Sequence, residues 1–180
     1  MSSAAPAPAA PGLFRLPPLA LYIHIPWCVR KCPYCDFNSH AAGPELPEEA
    51  YVDALLADLD ADLGAAHGRE LTSIFFGGGT PSLFSARALG RLLDGVNRRL
   101  GFAADIEITL EANPGTFEQA KFVDYRALGI NRLSIGVQSF QSDQLQALGR
   151  IHDGAEAIRA AAMARRAGFD NFNLDLMHGL

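Results

Sequence analysis

The stretch LALYIHIPWCVRKCPYC, residues 19–35, carries the strongest structural and chemical signals of this chain. Its first seven residues, 19–25, form a short run of aliphatic and aromatic side chains, which is typical of a buried β-strand. Directly after this run, Cys28, Cys32 and Cys35 form a C-x3-C-x2-C pattern, and the chain has no other cysteines. The stretch therefore predicts a strand whose carboxyl end leads into a loop of thiol ligands.

Four further apolar runs alternate with longer amphipathic segments, and this alternation predicts βα units with a parallel sheet. The five predicted strands are 19–25, 71–76, 105–110, 132–137 and 172–176. The predicted helices are 48–63, 86–100, 117–128 and 155–167, with a short one at 143–148. Helix-boundary signals support them, namely the capping-box pairs Thr116 with Gln119 and Asp153 with Glu156, and glycines at 101, 129 and 168.

Parallel strands joined by helices form either an open doubly wound sheet or a complete or partial β/α barrel, and periodicity does not separate the two. Both folds place ligands at the carboxyl ends of the strands. The unusual residues of this chain follow the five predicted strands in turn, as the three cysteines, 77–81, 111–114, Gln138 and Asp175. This placement predicts one convergent site.

Bulk composition limits the class of protein. The chain has 180 residues with 49% hydrophobic residues, enough for one domain with a sizeable core. A net charge of -5 with scattered basic residues argues against nucleic acid and anionic membrane surfaces as partners. Three clustered thiols are typical of ligands in a reducing compartment, which predicts a cytoplasmic protein.

The two ends of the chain give further expectations. The opening MSSAAPAPAAPG has no basic region followed by an apolar run, so residues 1–17 are predicted to be a disordered Ala/Pro tail rather than a secretion signal or an integral membrane span. Residues 18–180 are predicted to be the N-terminal part of a longer barrel domain, truncated after about its fifth strand, because a complete barrel needs roughly 250 residues.

The three cysteines suit an iron-sulfur cluster. Three thiolates can bind three irons of a [4Fe-4S] cluster and leave the fourth iron open to an external ligand. The alternative is a structural zinc site with His24 or His40 as fourth ligand, although structural zinc usually has paired ligand dyads and no second dyad follows. The glycine run at 77–79 lacks the Lys of a phosphate-binding loop and taken alone indicates only a turn.

Six motifs together resemble the radical S-adenosylmethionine (SAM) superfamily. They are LYIHIPWCVRKCPYCDFNSH, FFGGGTPS, LEANPG, SIGVQSF, LGRIH and NLDLMHGL, and the likeness extends over residues 19–180. Within the superfamily, the chain is most similar to the branch that contains oxygen-independent coproporphyrinogen III oxidases and HemW-like heme chaperones.

The resemblance implies a partial β/α barrel with a [4Fe-4S] cluster on Cys28, Cys32 and Cys35 and SAM on its open iron. The positions that match the family's cofactor-binding residues are Tyr22, Tyr34, Gly78, Gly79, Thr80, Glu111, Gln138, Arg150 and Asp175. Arg150 is suited to the carboxylate of SAM, and Glu111 and Asp175 to its ammonium or ribose hydroxyls. Trp27, Tyr34 and Phe37 are expected to shield the cluster. Taken singly, most of these side chains would be ordinary loop residues.

One departure from the oxidase pattern bears on function. Oxidases of this branch have a fourth cysteine two positions after the third, where this chain has Phe37. The resemblance therefore favours a chaperone that binds heme as cargo and transfers it to acceptor proteins, with the heme site outside this fragment. A porphyrin-metabolising radical enzyme and a zinc-stabilised binding module are the alternatives, and catalytic residues are not assigned.

Overall fold

Five parallel strands form the central sheet in the computed structural model, which describes residues 16–115 and 119–180. These strands are β1 (Leu19–Ile25), β4 (Leu71–Gly78), β5 (Phe102–Ala112), β6 (Arg132–Gln138) and β7 (Asn171–Leu176). A separate two-stranded ladder joins β2 (Trp27–Cys28) to β3 (His40–Ala41). All five predicted strands are confirmed, and the third begins three residues earlier than predicted. Most of the predicted N-terminal tail, residues 1–15, lies outside the described residues.

The strand order decides between the two folds that the sequence left open. The strands follow one another across the sheet in chain order, β1-β4-β5-β6-β7. A doubly wound sheet reverses its strand order at a switch point, whereas a β/α barrel adds each strand beside the previous one. The sheet is therefore an arc of a β/α barrel, with β1 and β7 at its edges, as predicted for a partial barrel.

Helices connect the strands. They are α1 (Glu48–Ala66), α2 (Ala86–Leu100), α3 (Phe122–Ala127), α4 (Ser142–Ala147) and α5 (Gly154–Arg166), with a 3-10 turn at Pro81–Leu83. The predicted capping box at the start of α5 is present, since Asp153 and Glu156 each bond the other's backbone N–H. Glycines at 101, 129 and 168 adopt the positive φ expected after helix ends. The predicted cap Thr116 and the predicted helix start at 117 lie outside the described residues.

Alternation along the strands separates two faces of the sheet. One set of positions, such as Ile23, Phe76 and Leu110, packs with α1, α2 and α3 into a continuous hydrophobic core. The other set faces away from this core. On β1 and β4 it includes the exposed, stacked rings of Tyr22 and Phe75. This second face, called the open face below, leads at its carboxyl end to the loops with the candidate site.

Candidate functional site

The cysteine loop is held at both ends by the small ladder. The His40 N–H donates to the Pro26 carbonyl at 2.8 Å and the Ala42 N–H to the Cys28 carbonyl at 2.7 Å, so the loop begins and ends at one place. Within it, Lys31 Nζ donates to the carbonyl oxygens of Ser39 at 3.1 Å and Phe37 at 3.3 Å. These bonds satisfy carbonyls of a segment that has almost no regular structure.

The three thiols line one cavity, together with residues from the strand ends. Cys28 is buried, and this burial raises the pKa of its thiol, while hydrogen bonds with Thr80 and Ser39 act in the opposite direction. Cys35 Sγ lies 3.7 Å from Ser39 Oγ, and Arg150 Nη1 donates to Cys32 Sγ at 3.5 Å. Hydrogen-bonding side chains therefore reach the sulfur atoms, as is common around cysteine-ligated clusters.

Possible ligands of a single metal ion are a separate question from the cavity lining. Within residues 16–115 and 119–180, no three His, Cys, Asp or Glu side chains are placed to hold one metal ion. His24, considered as a zinc ligand, has both ring nitrogens engaged, with Tyr22 Oη at 3.0 Å and the Asn38 carbonyl at 2.8 Å. Three thiols that line one cavity are suited to a cluster, in which each thiolate binds a different iron.

The glycine loop is packed against the cysteine loop. The Gly79 N–H donates to the Ile25 carbonyl at 2.9 Å, and the Thr80 N–H donates to the Trp27 carbonyl at 2.7 Å. A Cβ at Gly79 would lie 2.6 Å from the Pro26 carbonyl oxygen, and one at Gly78 would lie 2.6 Å from the His24 ring. Both positions therefore require glycine for the protein's own packing.

Two carboxylates face the cavity from the strand ends. Glu111 Oε2 accepts from the Gly78 N–H at 3.2 Å. Burial raises the pKa of Glu111, the nearby Asp175 carboxylate acts in the same direction, and the Gly78 N–H opposes them. Asp175 accepts hydrogen bonds from Ser134 Oγ and Asn173 Nδ2. This part of the cavity is suited to a ligand group that is cationic or donates hydrogen bonds.

Arg150 brings positive charge to the cavity. Its Nη2 donates at 2.7 Å to both Asn113 Oδ1 and the Gly136 carbonyl, while its buried Nε has no hydrogen-bond partner among the described residues. Asn113 in turn donates to Thr80 Oγ1 at 3.2 Å, which links the arginine to the glycine loop. Gln138 lines the same cavity at a backbone φ of 66°, a conformation uncommon for a residue with a side chain.

The cavity has a volume of about 160 Å³. Ten of the twelve residues predicted for the site line it, and they are Cys28, Cys32, Cys35, Gly78, Gly79, Thr80, Glu111, Gln138, Arg150 and Asp175. The two predicted tyrosines are not among the lining residues. Tyr22 is exposed beside His24 on the open face, and Tyr34 lies near Cys32 and Arg150, where burial raises its pKa.

Two aromatic residues expected to shield a cluster lie in different places. Phe37 lines the cavity, although its side chain is largely exposed. Trp27 instead packs on Phe84 and Tyr51, with ring centroids 5.7 Å and 4.7 Å away. It therefore anchors the cysteine loop to the core rather than lining the cavity.

Two histidines that the sequence left unassigned lie outside the cavity lining. His152 is buried, its Nε2 donates to the Val137 carbonyl at 3.0 Å, and burial lowers its pKa. His178 is exposed near the end of the chain. Neither adds a ligand to the site.

Ser134 and Ser39 were not singled out from the sequence, yet each contacts a predicted site residue. Asn113 lies within the predicted segment 111–114, where it was given no role of its own, and it accepts a hydrogen bond from Arg150. Ser134 lies four residues before Gln138 on the same face, so the strand period also contained this information.

No helix in the described ranges is both long enough and apolar enough to cross a membrane.

Comparison with known proteins identifies a family. The profile of the Radical SAM superfamily matches residues 22–180. The chain is 62% identical over 168 residues to the heme chaperone HemW of Escherichia coli strain K12, and 57% identical over 170 residues to the heme chaperone HemW of Haemophilus influenzae. These alignments cover 93% and 92% of the chain but only 44% of each relative's length.

A solved structure shows the same fold. The E. coli coproporphyrinogen III oxidase HemN, described as a radical SAM enzyme, superposes with a TM-score of 0.82 at 33% identity. The match covers 91% of the chain and 38% of the oxidase chain. It confirms the predicted partial barrel.

Proposed function

Since the chain belongs to the radical SAM superfamily, we propose that its cavity holds a [4Fe-4S] cluster on Cys28, Cys32 and Cys35, with SAM beside it. The observation that carries this proposal is the placement of all three thiols on one cavity that also contains Arg150 and the carboxylates of Glu111 and Asp175. When bound, the reduced cluster would supply one electron and SAM its sulfonium S–C5′ bond for a cleavage that yields methionine and a 5′-deoxyadenosyl radical.

The charges of the cavity suit the two ends of an amino-acid ligand. Arg150, whose buried Nε has no hydrogen-bond partner in the part of the chain that the structure describes, is the side chain suited to a carboxylate. Glu111 and Asp175 are acceptors for an ammonium group or hydroxyls. Gln138 can serve either kind of group. Tyr22 and Tyr34 remain proposed contacts at the margins of the site.

We further propose that the protein is a cytoplasmic heme chaperone of the HemW type, which binds heme and transfers it to acceptor proteins. Two relatives with that name are 62% and 57% identical to the chain, whereas the oxidase HemN is 33% identical. Phe37 occupies the position of the oxidase's fourth cysteine. Because the chain spans less than half of these relatives, the heme site is assigned to no residue described above.

Radical decarboxylation of a porphyrinogen is the second candidate, and the structural match to HemN favours it. One assay, the conversion of coproporphyrinogen III to protoporphyrinogen IX, distinguishes the two functions. Full-length protein, reconstituted anaerobically with iron and sulfide, is incubated with coproporphyrinogen III, SAM and a reductant. A chaperone binds heme without forming protoporphyrinogen IX, and turnover to protoporphyrinogen IX would establish the oxidase function instead.

The cofactor proposal has its own test, independent of heme. Anaerobically purified protein is analysed for iron and acid-labile sulfide, and the magnetic resonance spectrum of the reduced cluster is recorded with and without SAM. We expect about four irons and four sulfides per chain and a spectrum that SAM changes. Zinc without sulfide would identify the zinc-stabilised module.

A further inference from the structure

The open face of β6 and β7 carries a continuous row of hydrogen-bonded polar side chains that ends at the cavity. Arg132 lies opposite Asn171, and Ser134 lies opposite Asn173, in the parallel register of the two strands. Asp175 follows two residues after Asn173 and therefore points to the same face. Asp175 and Ser134 line the cavity, whereas Arg132 and the two asparagines lie behind them.

The amide of Asn173 is hydrogen-bonded through both its oxygen and its NH2 group within this row. Its Oδ1 accepts from Arg132 Nη2 at 2.7 Å, and its Nδ2 donates to Asp175 Oδ1 at 2.5 Å and to Ser134 Oγ at 3.0 Å. The orientation of the amide follows from charge. If the amide were flipped, its NH2 group would face the guanidinium and its carbonyl oxygen would face the carboxylate. Arg132 thus determines that Asn173 presents N–H groups to Asp175.

Arg132 is itself held by a second asparagine on β7. Its Nη1 donates to Asn171 Oδ1 at 2.6 Å, so the planar guanidinium bridges Asn171 and Asn173. Asn171 lies at the start of the strand, away from the cavity, and its Nδ2 approaches Glu107 Oε2 at 3.5 Å. The two asparagines therefore have matching roles toward Arg132, but only one of them contacts Asp175.

The carboxylate of Asp175 is fixed on one side and open on the other. Asn173 donates to Oδ1, and the single proton of the Ser134 hydroxyl is shared between Oδ2 at 2.9 Å and Oδ1 at 3.1 Å. A carboxylate has about four acceptor positions, so two remain after these bonds. Because Asp175 lines the cavity, the remaining acceptor positions are available to a ligand there.

We propose that Ser134, Asn173 and Arg132 are positioning residues that hold the Asp175 carboxylate in the orientation in which it accepts a hydrogen bond from a hydroxyl or ammonium group of SAM. The inference rests on the proposed function, since it takes SAM to be the ligand of the cavity. Arg132 acts through Asn173, and Ser134 acts directly on Asp175. None of the three residues is required to touch SAM.

The discriminating variant is Asn173→Asp, with Asn171→Asp as its matched control. Both substitutions are isosteric, keep an oxygen toward Arg132 and place a new carboxylate oxygen toward an existing acidic residue. Only Asn173→Asp replaces a donor to Asp175 by a repelling oxygen. We expect SAM to bind Asn173→Asp about tenfold or more weakly than the unaltered protein, and Asn171→Asp within about threefold of it.

Affinity is measured on reconstituted full-length protein by titrating SAM into the reduced cluster and following its magnetic resonance spectrum. Iron, sulfide and melting temperature are measured on the same samples. A positioning role lowers SAM affinity while leaving cluster content unchanged. If both aspartate variants bind SAM equally well, the inference is wrong, and if the unaltered protein does not respond to SAM, the proposed function fails first and the inference fails with it.

A second pair of variants covers the case in which Asn173→Asp does not fold. Ser134→Ala removes the hydroxyl that reaches Asp175, and Ser134→Thr retains a hydroxyl at the same position. We expect a severalfold loss of SAM affinity for alanine and recovery of most of it for threonine. Equal affinities for the alanine and threonine variants would overturn the role assigned to Ser134.

Discussion

The two sides of the cavity are built in different ways. The cysteine side, residues 26–42, is one short loop closed by a two-stranded ladder and by backbone hydrogen bonds. The strand side is assembled from Glu111, Gln138 and Asp175, which come from three neighbouring parallel strands. Side-chain networks hold it, through Asn113 at one end and Ser134 and Asn173 at the other.

The two constructions suit two different tasks, which are binding a cluster and binding a polar ligand. A local loop can present three thiols at a fixed spacing, which is what binding one cluster requires. A ligand with a carboxylate, an ammonium group and hydroxyls needs polar groups from several directions, and adjacent strand ends provide them. Cluster content and SAM affinity should therefore respond to different substitutions.

The largest effect that tests this separation is loss of the cluster. Replacement of Cys28, Cys32 or Cys35 by Ala should abolish the brown chromophore and most of the bound iron and sulfide, because each thiolate is proposed to ligate a separate iron. Asp175→Asn, on the strand side, should retain iron and sulfide while weakening SAM binding. Unchanged iron and sulfide after one cysteine replacement would show that this residue is not a ligand.

A large loss of stability is expected where the glycine loop joins the cysteine loop. Gly79→Ala places a Cβ against the carbonyl oxygens of Pro26 and Trp27, at 2.6 and 2.7 Å, and should lower the free energy of unfolding by roughly 1–3 kcal/mol. Gly64→Ala is the control, because Gly64 lies in α1 with no atom within 4 Å of the added Cβ. That variant should gain about 0.5–1 kcal/mol. Urea denaturation measures both, and equal effects would contradict the close approach.

A smaller loss is expected at Asn113, which links the strand side to the glycine loop. Asn113→Ala removes the acceptor of Arg150 Nη2 and the donor to Thr80, and should cost about 1–2 kcal/mol. Asn97→Ala on the exposed surface of α2 should change stability by no more than a few tenths of a kcal/mol. Urea denaturation of the two variants measures both changes. If Asn113→Ala left the free energy of unfolding unchanged, the link would not be stabilising.

The smallest effect concerns the pH dependence of stability at Glu111. Because the pKa of this buried carboxyl is raised in the folded protein, its contribution to stability is complete below the unfolded pKa and is lost as pH rises through the folded pKa. Glu111→Gln removes this loss, and its amide oxygen can still accept from the Gly78 N–H. The stability of the variant relative to the unaltered protein should therefore increase from acidic to neutral pH. Urea denaturation of cluster-free protein over that range tests the sign, and a pH-independent difference would contradict it.

Much of the fold was predictable because its signals are local. Apolar runs, the Asp153 and Glu156 capping box and the glycines after helices predicted the strands and most helices closely. The ladder of Trp27 and Cys28 with His40 and Ala41 was missed, since two-residue strands have no period to detect. The role of Trp27 was missed for a related reason. Its partners Tyr51 and Phe84 are distant in sequence. The position of Trp27 beside Cys28 therefore did not indicate whether its ring packs on the core or on the cluster site.

By itself, the sequence determined that three thiols lie close together on the cysteine side, because the spacing of Cys28, Cys32 and Cys35 within eight residues limits their separation whatever the rest of the chain does. It also determined which residues follow the strands. Only the tertiary structure decided that the sheet is an arc of a barrel, since strand order depends on long-range pairing. The tertiary structure was also needed to show that Asn173 donates an N–H to Asp175. That orientation of the amide depends on Arg132, which lies 41 residues away on the neighbouring strand.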